Sequence, residues 1–349
     1  MREFQVPIRP AVRNLPRYRP GKAAPGAMKL SSNEMATPPS APILEAMRKA
    51  LENVNRYPDL MATPVREAIA KRFKVFPEQV CVGTGSSALL LAALSAVCSP
   101  GAKVVYPWRS FESYPIAIPA SHAEGVPVPL DEDGGHDVEG LVCAAQDATA
   151  LILCSPNNPT GPVLTFDTIR DIVERVPASV LVLVDEAYID FASDPRVSSA
   201  IPLIEEHPNV LVLRTFSKVH ALAGVRVGYA IGNTELIGAI QAVSVPFGVS
   251  SVAQAAALAS LEDEAGVRAS AQAVIAERER MIAALREAGL SVPDSQANFF
   301  FLRGLGADFV EACVDAGLIV RPFPEGVRVT LADPLTNDRF LEVARRFAR

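Results

Sequence analysis

Unbroken apolar runs that stop abruptly at polar residues organise the middle of this 349-residue chain. Val180-Leu181-Val182-Leu183-Val184 ends at Asp185, and Val210-Leu211-Val212-Leu213 ends at Arg214. Runs without alternation mark strands covered on both faces, so the pattern predicts a mostly parallel sheet flanked by helices. Strands are expected at residues 79–82, 103–106, 150–154, 180–184, 210–213 and 227–231. Helices are expected at 40–53 (Ser40 as N-cap, Pro42 in the first turn), 64–73, from the Gly83-Thr84-Gly85-Ser86-Ser87 turn to about 98, 166–176, 235–243 and 251–261. A long charged helix comes next at 264–288, and beyond it the units shorten, with strands at 299–302, 318–321 and 327–331 and helices at 307–316 and 337–347. The first 40 residues, rich in Pro, Arg and Ser, predict an extended arm that packs on something else. The expected organisation is an arm and small-domain segment at 1–45, a large domain at 46–245 and a smaller α+β domain at 246–349.

Composition narrows the class. Apolar residues make up 49% and charged residues 21%, as in a globular protein, and a formal charge of −6 gives no electrostatic case for nucleic acid. The five cysteines (Cys81, Cys98, Cys143, Cys154, Cys313) are scattered, odd in number and mostly inside apolar runs. They argue for reduced thiols and against a disulfide framework or a metal site. The N-terminus has no apolar segment of the secretory kind, and the longest apolar stretch, residues 89–98, is about half the ~20 residues of a membrane span. A soluble cytoplasmic protein is expected.

Ligands of an open α/β sheet bind beyond the carboxyl ends of its strands, so the residues just past each strand carry the functional signal. After Val82 comes Gly-Thr-Gly-Ser-Ser at a helix start, whose N–H groups and hydroxyls suit a phosphate. After Tyr106 comes the aromatic cluster Trp108 to Tyr114; after Cys154 the turn Ser155-Pro156-Asn157-Asn158-Pro159-Thr160-Gly161. Asp185, Glu186 and Tyr188 come after Val184, and Thr215, Ser217 and Lys218 after Leu213. Each alone is ordinary turn or cap chemistry. Lys218, however, is the only lysine after Lys103, which removes it from any solvated charged face. Phosphate donors, a stacking ring, an amide, a buried acid and a lysine amine are together the complement of pyridoxal phosphate. The lysine would form a Schiff base and shuttle the α-proton, and the aspartate would keep the pyridine nitrogen protonated. A dinucleotide site is the rival, but the Gly-Thr-Gly-Ser-Ser loop lacks the G-x-G-x-x-G spacing and leaves Lys218 and Asp185 unexplained.

RTFSK-x-x-A-LAG-x-R-x-GYA, VDEAY, PNNPTG, RYPD and SSNE together resemble the histidinol-phosphate aminotransferase branch of the type I pyridoxal-phosphate aminotransferases, over essentially the whole chain. The resemblance implies that family's fold: a large domain with a mostly parallel sheet, and a smaller domain built from the N-terminal arm and the C-terminal part. It implies Lys218 as the Schiff-base lysine, Asp185 as the pyridinium partner, and Asn158 and Tyr188 at the cofactor's phenolic oxygen. Ser86, Ser87, Thr215, Ser217 and Arg226 would bind phosphate. Phe111 would stack on the ring, with Trp108 as competitor. Arg328 would clamp the substrate α-carboxylate, Arg321 would be the second substrate arginine, and Tyr18, Asn33 and Asn298 would form pocket walls. The family further implies a homodimer in which Tyr57 reaches the partner's phosphate.

Departures from the branch bear on the substrate. Val219-His220-Ala221 stands where a small residue, an aromatic and glycine are usual, so His220 has no assigned role. Ser244 stands where many histidinol-phosphate enzymes carry arginine. WRSFESYP, VPFGVSS and SQANF instead resemble actinobacterial aromatic (phenylalanine) aminotransferases. The resemblance therefore implies transamination of aromatic L-amino acids with 2-oxoglutarate. Histidinol phosphate is the alternative donor. A pyridoxal-phosphate decarboxylase of the same branch and a binding module without turnover are the remaining readings.

Overall fold

A computed structural model of the chain describes residues 6–15 and 26–348. Its strands are β1 (Met28–Lys29), β2 (Val80–Gly83), β3 (Lys103–Trp108), β4 (Glu124–Pro129), β5 (Ala150–Cys154) and β6 (Leu181–Asp185). They continue with β7 (Val210–Thr215), β8 (Gly228–Gly232), β9 (Phe299–Arg303), β10 (Leu318–Ile319), β11 (Arg321–Phe323) and β12 (Gly326–Thr330). Seven of them form one sheet in the order β2-β8-β7-β6-β5-β3-β4, parallel except for β8, which runs antiparallel to both β2 and β7. The expected α/β class and mostly parallel sheet are found.

The unbroken apolar runs are explained by burial on both faces. Val182 and Val184 belong to one apolar cluster and Leu181 and Leu183 to another, because successive side chains of a strand point to opposite faces. Val210 and Val212 part from Leu211 and Leu213 in the same way. Each such side chain contributes about 1.5–3 kcal/mol on burial, which holds these strands in the interior. A third cluster joins Leu30 to Met281, Phe300, Phe309, Leu318, Val327 and Phe340, so the segment before the large sheet packs with the C-terminal elements.

The structure differs from expectation at several elements. β4 is additional, because Pro127 and Pro129 read as breakers in the sequence; at the sheet edge, where β4 lies, proline costs no ladder bond on the open side. The helix Tyr114–Ala120 is masked in the sequence by Pro115 in its first turn and Pro119 near its end, and the helix Val138–Ala144 is also additional. The expected strand at 318–321 is two strands: β10 pairs with β1, and β11 pairs with β12. Ser40 is the N-cap residue of the helix Ala41–Leu51 as expected, but its hydroxyl makes no capping bond and donates instead to Asp263 Oδ2 at 2.8 Å. The N-terminal arm includes one helical turn, Pro10–Arg13, rather than being wholly extended. No helix among the described residues is long and apolar enough to cross a membrane.

Candidate active site

A cleft of about 400 Å³ opens at the carboxyl ends of β5, β6 and β7 and is roofed by the segment 32–34 and by β12. Lys218 enters it from the turn after β7. That turn is closed locally: Ser217 N–H donates to Thr215 Oγ1 at 3.0 Å, and Ala221 N–H donates to the Lys218 carbonyl at 2.8 Å. Ala221 takes a left-handed φ of 56°, which lets the chain reverse there. Lys218 Nζ donates to the Asn33 carbonyl at 3.3 Å and lies 5.4 Å from the Tyr188 ring centre. Burial, assisted by the Arg328 and Arg226 charges and opposed by Glu34 and Asp185, lowers its pKa to about 8. His220, two residues on, is buried with Nδ1 2.8 Å from Ser260 Oγ, a contact that ties the lysine turn to the helix Ser251–Glu262.

Asp185 ends β6 and is buried. Its Oδ2 accepts the Tyr114 hydroxyl at 2.9 Å and its Oδ1 the Ala187 N–H at 3.3 Å. Burial pushes its carboxyl above the usual carboxylate range, against the pull of Tyr114, Ala187 and the Lys218 charge. A charge so placed is best stabilised by a cation or a strong donor brought to it.

Beside Lys218 the cleft gathers groups suited to an anion. Gly85, at φ 87°, turns β2 into the helix Ser86–Val97, so Ser86 and Ser87, the first residues of that helix, line the cleft. The glycines leave room for close approach: a Cβ on Gly228 would lie 2.6 Å from Ser86 N, and one on Gly85 would lie 2.8 Å from the Arg226 side-chain Nη2. Arg226 donates to Ser217 Oγ at 3.3 Å and to the Ala223 carbonyl at 2.8 Å. Thr215, Ser217 and Arg226 all line the cleft.

The side walls separate the two aromatic candidates. Phe111 lines the cleft and meets Tyr114 edge to face at 5.6 Å, whereas Trp108 lines a different cavity with Arg303 and Glu325. Asn158, Tyr188, Asn33 and Arg328 line the cleft as a linked set. Arg328 donates through Nη1 to Asn158 Oδ1 and through Nη2 to the Ser31 carbonyl at 2.6 Å. Asn33 Nδ2 donates to the Tyr188 hydroxyl at 2.9 Å, whose pKa burial raises. Asn298 stands behind this wall, donating to the Asn33 carbonyl at 3.2 Å. Arg321 lies directly opposite Arg328 across the β11–β12 pair, and its guanidinium is gripped by Glu112, which lines the cleft.

Among the described residues expected at the site, Tyr57, Arg321 and Asn298 do not themselves line the cleft. Tyr57 is 83% exposed and stacks on Phe247 at 4.7 Å, outside the cleft of its own chain; Tyr18 lies outside the described residues. Ser244 lies in a separate cavity bordered by Leu60 and Val245, with its hydroxyl on the Ile240 carbonyl, so it does not face its own chain's cleft. Sequence reasoning missed the pairing of Tyr114 with Asp185 and of Glu112 with Arg321. The three-residue spacing of Phe111 and Tyr114 ahead of a proline-started helix was the available signal for the first. The second links residues 209 positions apart and left no local signal.

Comparison with known proteins agrees with this geometry. The family model "Aminotransferase class I and II" matches residues 25–346. An aromatic amino acid aminotransferase of Streptomyces avermitilis is 44% identical, over 100% of this chain and 99% of that protein. One from Rhodococcus erythropolis is 46% identical, over 97% of this chain and 95% of that protein. Among solved structures, the histidinol-phosphate aminotransferase of Sinorhizobium meliloti in complex with pyridoxal-5'-phosphate superposes with a TM-score of 0.87 at 26% identity, covering 98% of both chains. A lysine amine, a strand-end aspartate and a glycine-backed anion cradle in one cleft, with a family match over most of the length, identify the chain as a member of the class I and II aminotransferases, enzymes dependent on pyridoxal phosphate.

Proposed function

We propose that this aminotransferase moves the amino group of an aromatic L-amino acid, phenylalanine first, to 2-oxoglutarate. The observation that carries the reading is the full-length match, at 44–46% identity, to relatives named aromatic amino acid aminotransferase. The charge-balanced Arg321 at the substrate end is in keeping with an uncharged ring.

The residues present fit the cofactor. Ser86, Ser87, Thr215, Ser217 and Arg226 would hold its phosphate in the cradle that Gly85 and Gly228 leave open. Phe111 would cover one ring face, and Asn158 and Tyr188 would meet the phenolic oxygen. Pyridoxal phosphate supplies an aldehyde to bond amines and a ring that takes up charge from the substrate's α-carbon. Asp185 would meet the pyridine nitrogen with a carboxylate that burial makes responsive to a cationic partner. Lys218, its amine eased toward the neutral form, takes the proton from the substrate's α-carbon and returns it. Arg328 offers a planar fork to the α-carboxylate that donor and acceptor share. Asn33 and Asn298 stiffen the wall behind it.

The active form is a homodimer in this reading, with Tyr57 serving the neighbouring subunit's phosphate. Exposed Leu51, Val54, Tyr57, Leu60, Val243, Val245 and Phe247 supply the apolar surface such an assembly needs. The division into an N-terminal segment, a large domain and a C-terminal small domain is supported by the separate cluster that joins Leu30 to the C-terminal elements. A cytoplasmic setting accords with five free cysteines. The test is kcat/KM for phenylalanine and for histidinol phosphate measured side by side, with 2-oxoglutarate as acceptor.

A further inference from the structure

Two arginines stand on one face of the substrate wall. Arg321 and Arg328 are direct partners across the antiparallel β11–β12 pair, so their side chains leave the sheet on the same side. Like charges opposed in this way repel unless each is given a partner. The two are treated differently. Arg328 donates to neutral oxygens, Asn158 Oδ1 and the Ser31 carbonyl. Arg321 Nη2 donates to both oxygens of Glu112, at 2.8 and 2.9 Å, with side chains only 15% and 31% exposed. Charge-assisted bonds of this length, partly shielded from water, are the strong kind. Glu112 lines the same cleft as Lys218 and Arg328, and it comes directly after Phe111 in the chain.

Building on the aromatic-donor reading, we infer that Glu112 is the residue that sets the preference for uncharged over anionic substrate side chains, acting through Arg321. A side chain ending in phosphate or a second carboxylate must approach the Glu112 charge and take Arg321 away from it. An apolar ring does neither. The carboxylate works as a repulsive element as well as a competitor, which is how a site rejects a near relative of its substrate. The amino acceptor 2-oxoglutarate carries a second carboxylate and meets the same obstacle, so Glu112 also keeps its KM high.

The experiment uses the pyridoxal-phosphate-loaded enzyme as wild type, Glu112→Gln, Arg321→Gln and the double variant. In Glu112→Gln, the ratio of kcat/KM for histidinol phosphate to that for phenylalanine rises at least tenfold, about 1.4 kcal/mol. The gain comes through a lower KM for histidinol phosphate, and the KM for 2-oxoglutarate falls with it. Arg321→Gln moves both readouts the other way, and the double variant loses the gain. An unchanged ratio in Glu112→Gln, or a gain that survives in the double variant, overturns the role given to Glu112. A wild-type enzyme that prefers histidinol phosphate would overturn the aromatic reading instead, and the change in ratio between variants would still judge Glu112.

Discussion

The end of the cleft at the large sheet and the end at β11–β12 are built from different kinds of contact. Thr215, Ser217, Lys218 and Arg226 come from a single turn-and-return between β7 and β8, and bonds run among them: Ser217 to Thr215, Arg226 to Ser217. At the other end the bonds span large parts of the chain. Arg328 reaches Ser31, 297 positions away, and Asn158, 170 away; Arg321 reaches Glu112, 209 away. The groups proposed to do the chemistry are thus held by a short, locally bonded piece of backbone at the end of a buried strand. The groups proposed to recognise the substrate are held by side chains from several elements, where one substitution can change a partner without disturbing the chemistry.

Variants break this contrast in graded ways. The largest effect is expected from Lys218→Ala, which removes the proton carrier and should lower kcat by about 10⁴-fold or more, the upper range for such a group. Steady-state assays with several donors check it, and the loss should be the same for all of them, because this end does not sense the side chain. Arg328→Lys keeps the charge but loses the fork, and should cost roughly 10- to 100-fold in kcat/KM, equivalent to about 1.4–2.8 kcal/mol. That loss should fall on donor and acceptor alike, since both carry the α-carboxylate; an effect on one substrate only would blur the division between the two ends. The Glu112→Gln change, by contrast, should act on the choice between substrates.

The smallest effect is a pH dependence. With its pKa lowered to about 8, chiefly by burial, Lys218 is roughly one-tenth neutral at pH 7, whereas a lysine near 10.4 is neutral at well under one part in a thousand. In the cofactor-free protein, acylation of Lys218 by an amine reagent should rise about tenfold per pH unit below 8 and level off above it. Surface lysines should keep rising past pH 9. Peptide mass spectrometry at a series of pH values separates the two curves. A Lys218 profile that tracks the surface lysines would remove burial from the account of this amine.

Legibility in the sequence divides along the same line. The fold class, six strands of the large sheet to within two residues, and the places of Lys218 and Asp185 in the cleft were readable because apolar runs and the polar residues that stop them are adjacent in the chain. Ser86, Ser87, Thr215, Ser217 and Arg226 were readable for the same reason. β4 was not, because whether Pro127 and Pro129 are tolerated depends on the strand lying at the sheet edge. The Tyr114–Asp185 and Glu112–Arg321 bonds were hidden because nothing in a local stretch encodes a partner 71 or 209 positions away. Tyr57 shows the reverse case. Its motif is plain in the sequence, yet in a single chain the ring lies exposed on Phe247, and its proposed work belongs to an assembly of two.

Comparing donors on the wild-type enzyme decides whether the local end performs transamination while the distant-contact end selects an uncharged ring. With 2-oxoglutarate as acceptor, kcat/KM for phenylalanine should exceed that for histidinol phosphate by tenfold or more, about 1.4 kcal/mol in transition-state preference. A preference for histidinol phosphate would mean that Arg321 leaves Glu112 to hold a phosphate, and would contradict the account of the substrate end.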